Sequence, residues 1–162
     1  MFHFFSKKNN IYEVKAPFAG RVIPVEEVKD DVFAQLMMGD GVAIIPKEGN
    51  VYAPLSGVIS AVATTFHALG ITSQEGIELI VHYGIDTVKH QGKGFKMMTE
   101  QGQKVQTGDL LIKADMAYFE ANQVDLTSPI LVTNSDVFEI TEKPSLGKEV
   151  SAGDTLYFVK KK

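Results

Sequence analysis

The chain contains no cysteine. That excludes a disulfide framework, a cysteine-based metal site and a cysteine nucleophile. Basic clusters are also scarce. Apart from the terminal Lys160-Lys161-Lys162 none occurs, and the net charge is −4. Nucleic-acid binding needs a basic face for phosphates, so none is expected. No run approaches the ~20 apolar residues of a transmembrane helix. The opening Met1-Phe2-His3-Phe4-Phe5-Ser6-Lys7-Lys8 has an apolar run too short for a signal peptide, and its lysines follow that run instead of preceding it. These absences predict a cytoplasmic protein. Residues 1–10 read as a flexible tail and 11–162 as one domain. At 162 residues such a domain buries roughly two-thirds of its unfolded surface, enough for a real core.

What the chain does have is a series of short β-type runs separated by Gly, Pro, Asn and Asp. Examples are Gly20–Val25, Val42–Pro46, Gly57–Val62, Ile77–Val81, Leu110–Ile112, Ile130–Val132 and Leu156–Val159. Many short runs at this spacing predict an all-β sandwich or barrel. Two segments break the pattern with short helical character, Asp31–Met38 and Asp115–Gln123, each with an aspartate placed to start the turn.

Two elements recur. Gly102-Gln103-Lys104-Val105-Gln106-Thr107-Gly108-Asp109-Leu110-Leu111 returns at an offset of 45 as Gly147-Lys148-Glu149-Val150-Ser151-Ala152-Gly153-Asp154-Thr155-Leu156. Ala16-Pro17-Phe18-Ala19-Gly20 is echoed by Ala53-Pro54-Leu55-Ser56-Gly57. Biotinyl and lipoyl carrier domains use the same elements, with glycine supplying positive φ at turns. The repeats therefore speak to fold, an antiparallel barrel-sandwich hybrid with a duplicated motif, and carry no chemistry.

The chemistry sits in Gly76-Ile77-Glu78-Leu79-Ile80-Val81-His82-Tyr83-Gly84. In a strand here, Glu78, Ile80 and His82 share one face and Leu79, Val81 and Tyr83 the other. Both faces are largely apolar, which predicts a central strand ending in a histidine. Gly84 leaves room beside the ring and exposes a carbonyl. That carbonyl could take the Nδ1 proton and leave Nε2 free as a nucleophile. His67 lies fifteen residues earlier, and a hairpin could bring both imidazoles to one rim of a sheet. Thr65, on the same side of an extended chain, could orient His67 through its hydroxyl. A single histidine at a strand end is more often an ordinary side chain; the pair is what signals function. Two neutral imidazoles can hold a phosphoryl group, one bonded to it and one donating to its oxygens. They can also bind zinc weakly, but no His-x-His, His-Glu-x-x-His or cysteine supplies a third ligand. His3 and His90 read as surface residues.

Asp86 is either a solvated acid or a rim charge for a basic partner. Asp30 and Asp31 form a second acidic pair beside Val32, Phe33, Met37 and Met38. An apolar patch rimmed by acid reads as a docking face for another protein, against the alternative of a short helix packed into the core.

The segment Asp30–Gly41, the Thr65…His67-Ala68 spacing, the block Gly76–Val88, Gly92-Lys93-Gly94-Phe95 and the Gly-Asp turns together resemble the glucose-type enzyme IIA of the bacterial phosphoenolpyruvate-dependent sugar phosphotransferase system. The likeness runs from about Ile11 to Val159. It implies a cytoplasmic all-β sandwich in which His82 matches the phosphorylated histidine and His67 its partner imidazole. Thr65 matches the residue that orients the partner, Gly84 the carbonyl beside His82, and Asp86 the acid near the site. Phe33, Met38, Ile80 and Val88 match an apolar docking collar, to which Asp30, Asp31 and Val32 add acid and surface. The implied activity is phosphoryl carriage from the histidine-containing phosphocarrier protein HPr to the IIB domain of a sugar permease, with regulatory protein targets open. No cofactor is required, zinc binding only where a partner supplies another ligand, and membrane contact comes through the permease. The rival readings are a zinc metallopeptidase, which wants His-x-His, and a lipoyl or biotinyl carrier, which wants Met-Lys-Met at a hairpin tip. Neither motif occurs.

Overall fold

The computed structural model describes residues 10–35, 38–144 and 147–162. The expected tail up to residue 9, with His3, and Leu36 and Met37 of the docking segment lie outside them, as does the side chain of Val32. The described chain is built on antiparallel strands with short helical turns, as the patterning predicts.

Eight strands make the main sheet: β2 (Gly20–Pro24), β3 (Asp40–Pro46), β5 (Gly57–Val62), β6 (Ala68–Thr72), β7 (Glu78–His82), β9 (Lys104–Val105), β11 (Ser128–Val132) and β13 (Glu149–Val150). Their order is β13-β2-β3-β11-β7-β6-β5-β9. Two three-stranded sheets complete the fold. One is β1 (Ile11–Lys15), β14 (Thr155–Lys161) and β12 (Phe138–Glu142), and the other is β4 (Asn50–Tyr52), β10 (Leu110–Ala114) and β8 (Phe95–Met97). Helices are short: α1 (Asp31–Ala34), α2 (Met116–Ala121), and 3-10 turns at Val25–Glu27 and Thr87–His90. Asp115 caps α2, accepting from the Tyr118 amide at 3.1 Å, where a carboxylate satisfies an orphan N–H.

The order of the main sheet is a palindrome of the repeats. The Ala-Pro-x-x-Gly segments start β2 and β5, and the Gly-x-x-Val segments form β13 and β9 at the two edges. The hydrogen bonds repeat too. The Gly153 amide donates to the Ala16 carbonyl and the Ala16 amide to that of Asp154, as Gly108 does to Ala53 and Ala53 to Asp109. The duplicated motif read from the sequence is a structural duplication.

Alternation along each strand sorts the core. Val22, Val42, Ile44, Leu79, Val81, Tyr83, Ile130 and Val132 turn inward and join one large apolar cluster. Ala43 and Leu131 turn outward and join a second, with Val25, Val28, Phe33 and Ile85, against which Ile23 and Ile80 pack. Burying a Leu, Ile or Phe side chain is worth about 1.5–3 kcal/mol, so covering β2, β3 and β11 on the outside is a substantial part of the fold. The segment between β2 and β3 supplies that cover.

Candidate functional site

β7 lies between β11 and β6, the central place predicted for it. It ends at His82, which pairs with Ala68 at the start of β6. The Tyr83 amide then donates to the His67 carbonyl at 2.7 Å. This one bond ties the backbone of one histidine to the residue after the other. The rings meet edge to face, with centroids 4.7 Å apart. Tyr83 anchors the strand end: its ring is buried between Phe18 and Phe95, and its hydroxyl donates to the Glu48 carbonyl at 3.0 Å.

The turn from β5 to β6 sets His67. Phe66 takes a left-handed φ of +61°, uncommon for an aromatic residue and costly. The Phe66 amide donates back to the Ala63 carbonyl, and Thr65 Oγ lies 2.6 Å from His67 Nδ1. Phe66 itself is 41% exposed.

Gly84 is held from both sides. Its φ is +77°, and a Cβ there would stand 2.6 Å from the Thr87 methyl, so only glycine fits. Its amide donates to Ser128 Oγ at 2.9 Å. The Thr87 hydroxyl donates to the Tyr83 carbonyl at 2.6 Å and, more weakly, to the Gly84 carbonyl at 3.1 Å.

Burial is the main force on the imidazoles. It pushes His82 down to about 4, helped by the neighbouring His67 and opposed by the Gly84 carbonyl, the Asp30 charge and its own backbone. Burial also lowers His67. His82 is therefore neutral at pH 7, with one ring nitrogen protonated and the other carrying a lone pair. Its Nδ1 is buried and, among the described residues, makes no hydrogen bond of ordinary geometry. The Gly84 carbonyl nonetheless acts on the ring.

The predicted collar is partly assembled. The Phe33 ring meets the His82 ring edge-on at 5.1 Å. Ile80 is half-buried on the same strand face as His82. Val88 and Met38 are exposed apolar side chains, and Asp31 is exposed at the start of α1. Asp30 reaches His82 through its charge. Asp86 is half-buried and pairs loosely with Lys89 at 3.6 Å. Beyond His82 the outer face of β5, β6 and β7 is open, a groove of about 500 Å3 floored by Ser60, Val62, Gly70 and Ile80. Among the described residues no group of three or more His, Cys, Asp or Glu side chains is placed to hold a metal ion.

Three residues at the site have no role assigned to them from the sequence. Thr87 and Ser128 are buried hydroxyls on Gly84, and Phe66 is an exposed aromatic beside His67. Only Thr87, four residues past Tyr83 and directly after the acid, carried a local signal, since Thr hydroxyls bond backbone carbonyls within a turn. His90 is a correction. It was expected on the surface but is half-buried, with Nδ1 2.9 Å from the Tyr118 hydroxyl and its ring against Phe119. The packing of α2 on that loop decides this.

The chain is similar to known proteins. A sequence model described as "phosphoenolpyruvate-dependent sugar phosphotransferase system, EIIA 1" matches residues 12–138. Among solved structures, the glucose permease IIA from Mycoplasma capricolum is 37% identical, with a TM-score of 0.83, over 93% of this chain and 97% of that one. The deep-sea M23 metalloprotease pseudoalterin is 13% identical over 90% of this chain and 98% of that one, with a TM-score of 0.47, a likeness too slight to argue from. No helix among the described residues is long and apolar enough to cross a membrane. The chain belongs to the EIIA 1 family of the phosphoenolpyruvate-dependent sugar phosphotransferase system, and is thus a phosphoryl-carrying component of sugar transport.

Proposed function

We propose that His82 accepts a phosphoryl group from phosphohistidine on the phosphocarrier HPr and passes it to a cysteine on the IIB domain of a cytoplasmically exposed sugar permease. The observation that carries this reading is the pair of half-buried imidazoles with ring centroids 4.7 Å apart at the end of a central strand. Nε2 of His82 attacks the phosphorus. The donor's N–P bond breaks, and its imidazole leaves with the electron pair. The His82 ring then carries positive charge at Nδ1–H, which the Gly84 carbonyl stabilises. In the return step the IIB thiolate attacks and the His82 ring leaves as a neutral imidazole. Little covalent chemistry is asked of the protein beyond positioning and charge stabilisation.

His67 is the second imidazole of the reading. If the Thr65 hydroxyl donates to Nδ1, the His67 proton sits on Nε2 and can be given to the phosphoryl oxygens, where negative charge collects in the transition state. Met38, Ile80 and Val88 offer the apolar docking surface, with Phe33 packed against the His82 ring from the outer cluster, and Asp30, Asp31 and Asp86 meet basic residues of partners. Zinc would be held weakly by His67 and His82, and only where a partner ligand completes a tetrahedral site.

The test is incubation with phosphoenolpyruvate, enzyme I and HPr, followed by intact mass. One phosphoryl group should be gained, lost in mild acid and kept in base. His82→Ala should gain none; normal labelling of that variant would sink the assignment.

A further inference from the structure

We propose that Thr87 is a positioning residue for phosphoryl transfer: with Ser128 it clamps the Gly84 peptide so that its carbonyl can take the Nδ1 proton of His82. The inference rests on His82 as the acceptor and extends it to residues outside the histidine pair.

Three observations carry it. First, Thr87 and Ser128 are two of the three buried polar residues among those described, the third being Ser73. Both direct their hydroxyls at one peptide. Ser128 Oγ accepts the Gly84 N–H at 2.9 Å while donating to the Leu126 carbonyl at 2.7 Å. Thr87 Oγ donates to the Tyr83 and Gly84 carbonyls at 2.6 and 3.1 Å. Second, the Thr87 methyl occupies the space a side chain on residue 84 would need. Residue 84 is therefore confined to glycine, and Thr87 packs against it as well as bonding its peptide. Third, His82 Nδ1 is buried with no hydrogen bond of ordinary geometry among the described residues. A buried polar atom left so costs free energy, and the Gly84 carbonyl already acts on this ring.

The physical reason for a clamp is charge. Attack through Nε2 makes the His82 ring cationic, and its Nδ1–H becomes a stronger donor. A carbonyl dipole held in place stabilises that charge with no reorganisation at the moment of reaction. A carbonyl free to turn would not, and would also release the proton to Nε2, removing the lone pair that attacks.

The experiment is 15N NMR of the imidazoles in the unphosphorylated full chain, with rapid-quench acceptance from phospho-HPr measured in parallel. Thr87→Val keeps the branched shape and removes the hydroxyl. It should move part of the His82 population to the Nε2–H form and slow acceptance about tenfold, the scale of one hydrogen bond. Thr87→Ser should restore both. Ser128→Ala loosens the same peptide from its N–H side and should shift the tautomer in the same direction; it serves if Thr87→Val does not fold. A folded Thr87→Val or Ser128→Ala with wild-type 15N shifts, or failure of Thr87→Ser to restore them, overturns the clamp. A loss of melting temperature with unchanged tautomer and rate would mean that Thr87 is only structural, and also overturns it. The NMR reading needs no transfer chemistry, so it stands apart from the identity of the acceptor. If tautomers shift as expected while His82→Ala still takes up the label, the acceptor assignment fails and takes the transfer role with it; if His82→Ala takes up none while the tautomers of Thr87→Val stay wild-type, the clamp alone fails.

Discussion

The two copies of the repeated motif share their backbone hydrogen bonds and differ in the connection that leaves the first strand of each. In each copy, an Ala-Pro-x-x-Gly segment starts a strand and a Gly-Asp turn closes against it. The Gln106 amide is capped by Asp109 at 2.8 Å, and the Ser151 amide by Asp154 at 2.8 Å. After β5 the chain returns through the short turn at residues 63–67, which carries Thr65, Phe66 and His67. After β2 it runs through residues 25–39 before β3 begins. That longer segment covers the outer face of its half of the sheet and sends Phe33 to His82. The matching face beyond β7 is left open. The central strands diverge as well: β11 is buried throughout, whereas β7 exposes alternate residues on that face. The repeat builds a platform, and the candidate site is made where the two halves were allowed to differ.

The largest test of that contrast concerns the short turn. His67→Gln should still accept a phosphoryl group, since His82 remains free to attack, but should pass it on slowly. The glutamine amide keeps a donor but not an imidazole that can hold a second proton while the phosphoryl group departs, and an interaction that strengthens in the transition state is commonly worth ~2.7–4 kcal/mol, on the order of 10²–10³ in rate. Rapid-quench transfer from the phosphorylated variant to a IIB domain measures it. Unchanged onward transfer with collapsed acceptance would reverse the two histidine roles.

Two phenylalanines, one per connection, should behave in opposite ways. Phe33 is buried in the outer cluster, so Phe33→Ala should cost about 3 kcal/mol. Phe66 is exposed and left-handed. Asparagine tolerates that region, so Phe66→Asn should leave stability unchanged or raise it by up to ~1 kcal/mol. Urea unfolding checks both, and a large loss from Phe66→Asn would place that ring in the core of the turn.

Acid should weaken the fold through the site. His82 is lowered from 6.5 to about 4, so between those pH values the unfolded chain binds a proton that the folded chain does not. Stability therefore falls as pH drops through that window and levels off below it. The loss is on the order of 3 kcal/mol from His82, and His67 adds in the same direction. His82→Phe should flatten most of this slope; an unchanged slope would place the titration elsewhere.

The smallest effect tests the equivalence of the repeats. Gly108 and Gly153 have φ of +95° and +89°, and a Cβ at either meets nothing within 4 Å. Gly108→Ala and Gly153→Ala should each cost about 1–2 kcal/mol, backbone strain alone. Thermal melts giving clearly unequal losses would show that the two turns are not the same structure.

Several of these features could be read without coordinates, because they are local. Period-two alternation put Leu79, Val81 and Tyr83 on one face and Ile80 and His82 on the other. The Gly-Asp turns carry their own φ requirement, and Thr65 sits two residues from His67, within reach of its ring. The helix cap at Asp115 was legible for the same reason. What only the tertiary structure decided is which distant segments meet. Nothing near Phe33 says that it crosses a sheet face to touch His82. Nothing near Ser128 says that its hydroxyl holds Gly84, 44 residues away in sequence, and nothing near His90 says that Tyr118 and Phe119 will cover it. Nor does composition reveal that burial holds His82 neutral. Desolvation depends on every segment packed around a ring, and so it exists only once the chain has closed.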